Sequence, residues 1–176
     1  MFSVSSIQIS KRFLLILPLI LLIQFIAFLP AIDAMAAELK VLSGEQMIGK
    51  IKQDKDKSKV IFMFASWCGF CKQAMAQLVD VSKGDLKDSV GVFYISLDHD
   101  YDALVKFTQN LDQNITIYHM TKVEDITDFF NTFSVNYTNS VPHITIIDSG
   151  NKTIADGKGS IAAVEKKIRN YLGQAS

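Results

Sequence analysis

Cysteine is scarce in this sequence, and the little there is cannot form a stabilising framework. The chain has two cysteines among its 176 residues, Cys68 and Cys71. A disulfide between positions so close in sequence closes a loop too small to restrict the unfolded chain much, so it would stabilise the fold little. We therefore interpret the two thiols as reactive groups.

An excess of charge of either sign is also missing. The sequence has 18 Lys and Arg residues against 18 Asp and Glu residues, which gives a formal net charge of zero. Proteins that bind nucleic acids or anionic membrane surfaces through electrostatics carry clusters of positive charge. The composition therefore gives no electrostatic reason to expect nucleic acid as a partner.

Long hydrophobic runs are confined to the N-terminal region. Lys11 and Arg12 precede two apolar stretches that end near Ile32, and a small-x-small tripeptide follows at residues 34–36. A basic start, an apolar middle and such a tripeptide are typical of a secretory signal peptide. The apolar part approaches the ~20 residues that span a bilayer, so a retained membrane anchor is the alternative to cleavage. Both alternatives predict export of the rest of the chain.

Residues 1–36 are thus predicted to be a signal peptide or membrane anchor, and residues 37–176 a single domain. We expect this domain in the periplasm or another extracytoplasmic compartment, soluble after cleavage or anchored to the inner membrane. Strand-like and helix-like patterns alternate along it, and the last two strands read as a hairpin. This order predicts an α/β fold with a single mixed β-sheet of about five strands and helices on both faces. Candidate strands lie at 39–42, 59–64, 92–97, 115–119, 144–147 and 152–155, and helices at 43–52, 69–83, 98–111, 121–133 and 160–173. Ser43 with Gln46 and Thr121 with Glu124 have the spacing of capping boxes at the starts of two of these helices.

The two cysteines occupy a characteristic position between a predicted strand and a predicted helix. The apolar run at residues 60–64 leads into Trp-Cys-Gly-Phe-Cys at residues 67–71. A helix N-terminus presents unpaired N–H groups and partial positive charge, which favour a thiolate over a thiol. This placement makes Cys68 a nucleophile near neutral pH, with Cys71 one turn later in position to close a disulfide.

Metal binding is the alternative function for a lone Cys-x-x-Cys pair. A zinc site usually takes four protein ligands, so this chain would have to recruit two of its three histidines from separate elements. Lys72 follows the second cysteine, where covalent haem attachment needs a histidine. We expect neither a metal nor another cofactor, while a metallochaperone that holds copper(I) or zinc through both thiolates stays open as the alternative.

At this point the sequence resembles the thioredoxin-fold oxidoreductases. The resemblance is carried by residues 64–72 around the cysteine pair and by Val141-Pro142 before a later strand. A helix–strand–helix insertion between the second core strand and that proline resembles the exported TlpA/ResA-type thiol–disulfide proteins. The resemblance covers residues 39–172 and implies a thioredoxin fold.

The resemblance also implies a role for each matching residue. Cys68 would attack and form the mixed disulfide, and Cys71 would resolve it. Pro142 would be cis and would shape the substrate groove, while the Val141 backbone would pair with an extended substrate segment. Trp67 would form a wall of the groove beside the sulfurs.

Three further residues bear on this site. Phe70 lies between the cysteines, where an exposed aromatic side chain would contact substrate. His143 follows the proline and could tune the charge of the thiolate, although a histidine satisfied at a strand end is the simpler interpretation. Phe62 replaces the acid or amide that many members of the family carry near this position, so a base, if needed, must be water or another side chain.

The pair Gly69-Phe70 contains no histidine, which in the strong periplasmic oxidant helps to stabilise the thiolate. We therefore expect a reductase or isomerase rather than an oxidase. The predicted partners are client proteins with cysteines or disulfides and a membrane electron donor or acceptor.

Overall fold

The structure is a computed structural model that describes residues 37–55, 57–111, 114–158 and 160–174. The predicted signal peptide or anchor at residues 1–36 lies outside the described residues. Within the described ranges, no helix is long and apolar enough to cross a membrane.

Six strands and five helices alternate along the described chain as the sequence patterns predict. The strands are β1 (Glu38–Val41), β2 (Ser58–Phe64), β3 (Val90–Ser96), β4 (Thr116–His119), β5 (His143–Ile147) and β6 (Thr153–Gly157). The helices are α1 (Gly44–Gln53), α2 (Gly69–Lys83), α3 (Tyr101–Thr108), α4 (Val123–Thr132) and α5 (Ile161–Gln174).

All six strands form one mixed sheet in the order β1-β4-β3-β2-β5-β6. The first four strands of this order run parallel to one another, β5 runs antiparallel to β2, and β6 runs antiparallel to β5. The predicted mixed sheet and the terminal hairpin are confirmed. The sheet has six strands rather than about five, because the short segment β1 pairs with β4 along its whole length and adds an edge strand.

The central strand β2 separates two hydrophobic clusters. Every residue of β2 is buried, and alternate side chains point to opposite faces, as the period of a strand requires. One face packs against α2, α3 and α5, and the other packs against α1 and α4. The predicted arrangement of helices on both faces is confirmed.

Helix starts are set by local capping at some sites and not at others. Ser43 and Gln46 form the predicted capping box of α1, with backbone-to-side-chain distances of 3.3 and 2.9 Å. The predicted box that starts at Thr121 is wrong, because Lys122 occupies the N-cap of α4 without a side-chain hydrogen bond. Asp100 caps α3 by accepting from the Ala103 N–H at 3.0 Å.

The start of α1 packs closely against α4, and this contact generates a test of the fold. A Cβ built on Gly44 would lie 2.6 Å from the backbone oxygen of Asp125, so Gly44→Ala forces one backbone away from the other. We expect the free energy of unfolding to fall by about 1–3 kcal/mol in a denaturant titration.

Gly49→Ala in the same helix is the matched control, because a Cβ there would meet no atom within 4 Å. That variant should be as stable as the wild type or more stable by up to about 1 kcal/mol, through helix propensity. Equal effects of the two substitutions would contradict the described packing of α1 on α4.

Candidate active site

A tight turn links the end of β2 to the start of α2 and carries the first cysteine. The Cys68 N–H donates to the Ala65 carbonyl at 3.0 Å, and Cys68 then serves as the N-cap residue of α2. The buried strand, the turn and the helix start therefore follow one another as the sequence predicts. This geometry places the Cys68 side chain at the positive end of a helix.

The two cysteines form a disulfide in this structure, with their Cα atoms 5.2 Å apart. The Cys68 Sγ accepts a hydrogen bond from the Cys71 backbone N–H at 3.1 Å. Cys71 is fully buried, whereas Cys68 retains 6% of its surface. When the disulfide opens, the N–H that faces Cys68 is in place to stabilise its thiolate.

Two aromatic side chains stand exposed on either side of Cys68 in the sequence. Trp67 and Phe70 expose 76% and 79% of their surfaces, respectively. Large apolar side chains this exposed are uncommon on a protein surface and often mark contacts with partners. Both side chains are thus accessible to a partner, and their predicted contacts with substrate stay a prediction.

The loop before β5 approaches the reactive sulfur directly. The Val141–Pro142 peptide bond is cis, and the carbonyl oxygen of Val141 lies 3.8 Å from the Cys68 Sγ. Because Cys68 has no thiol proton in the disulfide, this distance describes a contact and not a hydrogen bond. The structure thus brings together Cys68, Cys71, Val141 and Pro142 as predicted from the resemblance.

His143 follows this loop but its ring is engaged elsewhere. Its Nε2 lies 2.8 Å from Oδ1 of Asp156 on β6, and the Tyr137 ring packs edge-on at 5.4 Å between centroids. Its Nδ1 has no hydrogen-bond partner among the described residues. This is the histidine held at a strand end that the sequence offered as the simpler interpretation, and thiolate tuning by His143 stays a prediction.

Asp156, which no sequence pattern singles out, joins three segments near this loop. It accepts hydrogen bonds from the Thr145 hydroxyl at 2.6 Å and from the Asn136 N–H at 2.7 Å, besides contacting His143. Burial acts to raise the pKa of Asp156, but these hydrogen bonds outweigh it and the pKa is lowered. The carboxylate ties the loop before the proline to the β5–β6 hairpin.

Asp98 is a second carboxylate whose place differs from the prediction. The sequence predicts it among the residues that open the helix after β3, but α3 is capped by Asp100 and Asp98 is 95% buried. Its carboxylate accepts from the Ser66 N–H at 2.9 and 3.0 Å, the Ser66 hydroxyl at 2.7 Å and the Ser96 hydroxyl at 2.8 Å. The available signal was its place after β3, because the ends of neighbouring parallel strands meet at one edge of the sheet.

Trp67 separates two surface grooves beside the redox pair. The larger groove, of about 740 Å³, is mainly hydrophobic and runs between α4 and the loop before Pro142; we call it the apolar groove. The smaller groove, of about 620 Å³, lies toward α3. The side chains that give the apolar groove its character are Leu97, Val123, Ile126, Phe130, Tyr137 and Val141.

No set of three or more His, Cys, Asp or Glu residues suited to a metal ion is found in the part of the chain that the structure describes. The cysteine pair itself supplies two sulfur atoms.

Comparisons with known proteins agree with this geometry. The family model described as thioredoxin-like matches residues 56–153, which is more than half of the chain. No curated protein shows significant similarity to the sequence.

Several solved structures have a similar fold. A protein described as a thiol:disulfide interchange protein DsbE, from Chlorobium tepidum, has 17% identity and a TM-score of 0.56, with 71% of this chain and 84% of that chain covered. The exposed lipoprotein thioredoxin Etrx1 from Streptococcus pneumoniae has 16% identity and a TM-score of 0.52, with coverages of 66% and 89%. A thioredoxin-related protein from Neisseria meningitidis has 18% identity and a TM-score of 0.51, with coverages of 68% and 86%. At these identities the similarity establishes the fold.

The described sheet and the family match confirm the predicted thioredoxin fold. The predicted Cys-x-x-Cys pair is present at disulfide distance, as a thioredoxin-like redox site requires. On the sequence, the fold and the site together, this chain belongs to the thioredoxin-like family.

Proposed function

We propose that this protein is an exported thiol–disulfide oxidoreductase of the TlpA/ResA type, which exchanges disulfides with cysteines of other exported proteins. The observation that carries the proposal is the position of the Cys68 Sγ at the start of α2, 3.1 Å from the Cys71 N–H and bonded to a fully buried partner sulfur. Cys68 is thus the more exposed of the two cysteines, and its sulfur is electrostatically favoured as an anion, while the Cys71 sulfur lies buried beside it.

The exchange proceeds in two balanced steps. The Cys68 thiolate attacks a client disulfide, forms a mixed disulfide and releases the first client sulfur as a thiolate. Cys71 then loses its proton and attacks the Cys68 Sγ, which breaks the mixed disulfide and releases the second client sulfur. Two electrons pass from the protein to the client, and the disulfide seen here is the oxidised product of that cycle.

The surface beside Cys68 fits an extended client segment. The Val141 carbonyl next to the Sγ can accept a backbone hydrogen bond from such a segment, as a strand added at an edge would provide. The apolar groove continues from this point and can take an apolar client side chain, while Trp67 and Phe70 offer further contact area. We propose that clients carry bulky apolar residues near the reactive cysteine.

The direction of electron flow follows from the residues between the cysteines. With Gly69-Phe70 there, no histidine stabilises the Cys68 thiolate from within the motif, so the disulfide is a weaker oxidant than one with such a histidine. We propose a reductase or isomerase that is kept in its dithiol form by electrons from a membrane protein.

Export is proposed from the pattern at residues 1–36, with the domain at residues 37–176 released by cleavage or kept at the membrane by that segment. One structure of similar fold is described as an exposed lipoprotein thioredoxin, which agrees with an extracytoplasmic location. The natural clients would then be other proteins of the same compartment.

Cys68→Ala tests the nucleophile. We expect this variant to keep its far-UV circular dichroism spectrum and to lose reduction of insulin disulfides to the rate of the uncatalysed reaction, because no other accessible sulfur can start the exchange. Residual activity close to that of the wild type would contradict the assignment of Cys68 as the nucleophile.

Cys71→Ala tests the resolving thiol. This variant should attack client disulfides but fail to release them, so mixed disulfides should accumulate as reductant-sensitive adducts on a gel. The matched control is the double variant without either cysteine, which should trap nothing. Absence of adducts, together with stoichiometric copper or zinc in the reduced wild type, would favour the metal-binding alternative instead.

Val123→Ser tests the apolar groove, because Val123 lines it at the exposed start of α4. The Val123 side chain is 66% exposed. Val41→Ser on β1 is the matched control, because Val41 is 49% exposed and lies outside the groove. We expect KM for a disulfide peptide with flanking apolar residues to rise about three- to tenfold, since burying a valine contributes up to about 1.5 kcal/mol. Oxidised glutathione, which has no bulky apolar side chain to place in the groove, should be reduced at an unchanged rate. A rise in KM of the same size for Val41→Ser would contradict the docking of clients in this groove.

A further inference from the structure

We propose that Asp98 is a positioning residue that anchors the turn carrying Cys68 and thereby holds the reactive sulfur against the N-terminus of α2. This inference rests on the proposed function, because it concerns the same sulfur. Asp98 itself contacts neither sulfur among its described hydrogen bonds and acts through Ser66.

The buried carboxylate of Asp98 accepts hydrogen bonds from several donors at once. Asp98 is 5% exposed, and both its oxygens accept from the Ser66 N–H, while the hydroxyls of Ser66 and Ser96 each donate to one oxygen. A buried charge is tolerated only where hydrogen bonds replace its hydration. Because all four contacts come from two serines at the ends of adjacent strands, the carboxylate and these serines form one fixed unit.

This unit holds the turn that carries Cys68. Ser66 lies in the turn whose closing hydrogen bond runs from the Cys68 N–H to the Ala65 carbonyl. Ser66 is therefore fixed from the outside by Asp98, on a neighbouring strand end, at the point where β2 gives way to α2. A turn of four residues with one end fixed in this way has little freedom to change the direction of Cys68.

The geometry of this turn affects the reactivity of Cys68. The Cys68 Sγ faces the Cys71 N–H at 3.1 Å only while the N-cap geometry of Cys68 is kept. If the turn loosens, the sulfur can rotate away from that N–H group, and the thiolate loses the stabilisation that the helix start provides. The negative charge of Asp98 acts in the opposite direction, since a nearby anion disfavours a thiolate. When Asp98 is removed, the loss of the anchor therefore shifts the midpoint of the pH profile of Cys68 upward, and the loss of the charge shifts it downward.

The test measures how fast Cys68 reacts with iodoacetamide as a function of pH. All proteins carry Cys71→Ala in the full chain, which leaves Cys68 as the single thiol and keeps the backbone N–H of residue 71. We expect Asp98→Ala to move the midpoint of the pH profile upward by about one unit, which lowers the reaction rate at pH 7 about tenfold. Asp98→Asn retains one acceptor oxygen for the Ser66 N–H and should fall between Asp98→Ala and the reference.

The matched control is Asp100→Asn, which removes the same charge two residues further along the chain, at an exposed helix cap whose carboxylate accepts from the Ala103 N–H. It should leave the midpoint unchanged. If Asp98→Ala does not fold, Asp98→Asn and Ser66→Ala carry the test, because Ser66→Ala removes only the 2.7 Å hydroxyl contact and leaves the charge in place. Asp98→Asn and Ser66→Ala should each slow the reaction about two- to threefold, because each removes only part of the hydrogen bonding that anchors the turn.

Two outcomes overturn the positioning role. One is an unchanged midpoint in every folded Asp98 and Ser66 variant. The other is an equal downward shift for Asp98→Ala and Asp98→Asn, which would mean that Asp98 acts through its charge alone. An unreactive Cys68 in the reference protein would instead contradict the proposed function, so the two failures are distinguishable.

Discussion

The hydrogen bond from the Cys71 N–H to the Cys68 Sγ is the contact on which the site depends. It exists because a buried strand ends in a short turn and Cys68 caps the next helix. The Cys71 N–H in the first turn of that helix therefore points at the sulfur, while it also donates to the Cys68 carbonyl at 3.1 Å. The same helix start buries Cys71 directly behind Cys68. The start of this helix thus both stabilises the Cys68 thiolate and places the resolving thiol of Cys71 beside it.

Sheet topology explains why the other functional groups gather at this point. The parallel strands β2 and β3 both end at this edge of the sheet, which brings Ser66 and Asp98 together. Strand β5 runs antiparallel to β2 and begins where β2 ends, with Met63 paired to His143. The residues just before β5 therefore reach the sulfur, which is how Val141 comes to lie beside it. The long loop and insertion between β3 and β5 add α4 and complete the apolar groove.

Local features of this architecture could be predicted from the sequence, because they rest on neighbouring residues. The strand–turn–helix around the cysteines, the capping box at Ser43 and the terminal hairpin all have short-range causes. The role of Asp98 could not be predicted in this way, because the acidic residues at 98 and 100 look equivalent as helix caps. Only the packing of β3 beside β2 gives Asp98 its partners. The pair of His143 and Asp156 likewise depends on the register of the hairpin.

Reversible two-electron chemistry at Cys68 and Cys71 is the central claim, and a redox titration of the full chain tests it most directly. The fraction of disulfide would be measured by thiol labelling and mass spectrometry after equilibration in dithiol buffers of known potential. The account predicts a single reversible two-electron transition, with a midpoint closer to the value of about −270 mV found for thioredoxin than to the value of about −120 mV of a strong oxidant. A pair that shows no reversible transition between dithiol and disulfide would contradict it.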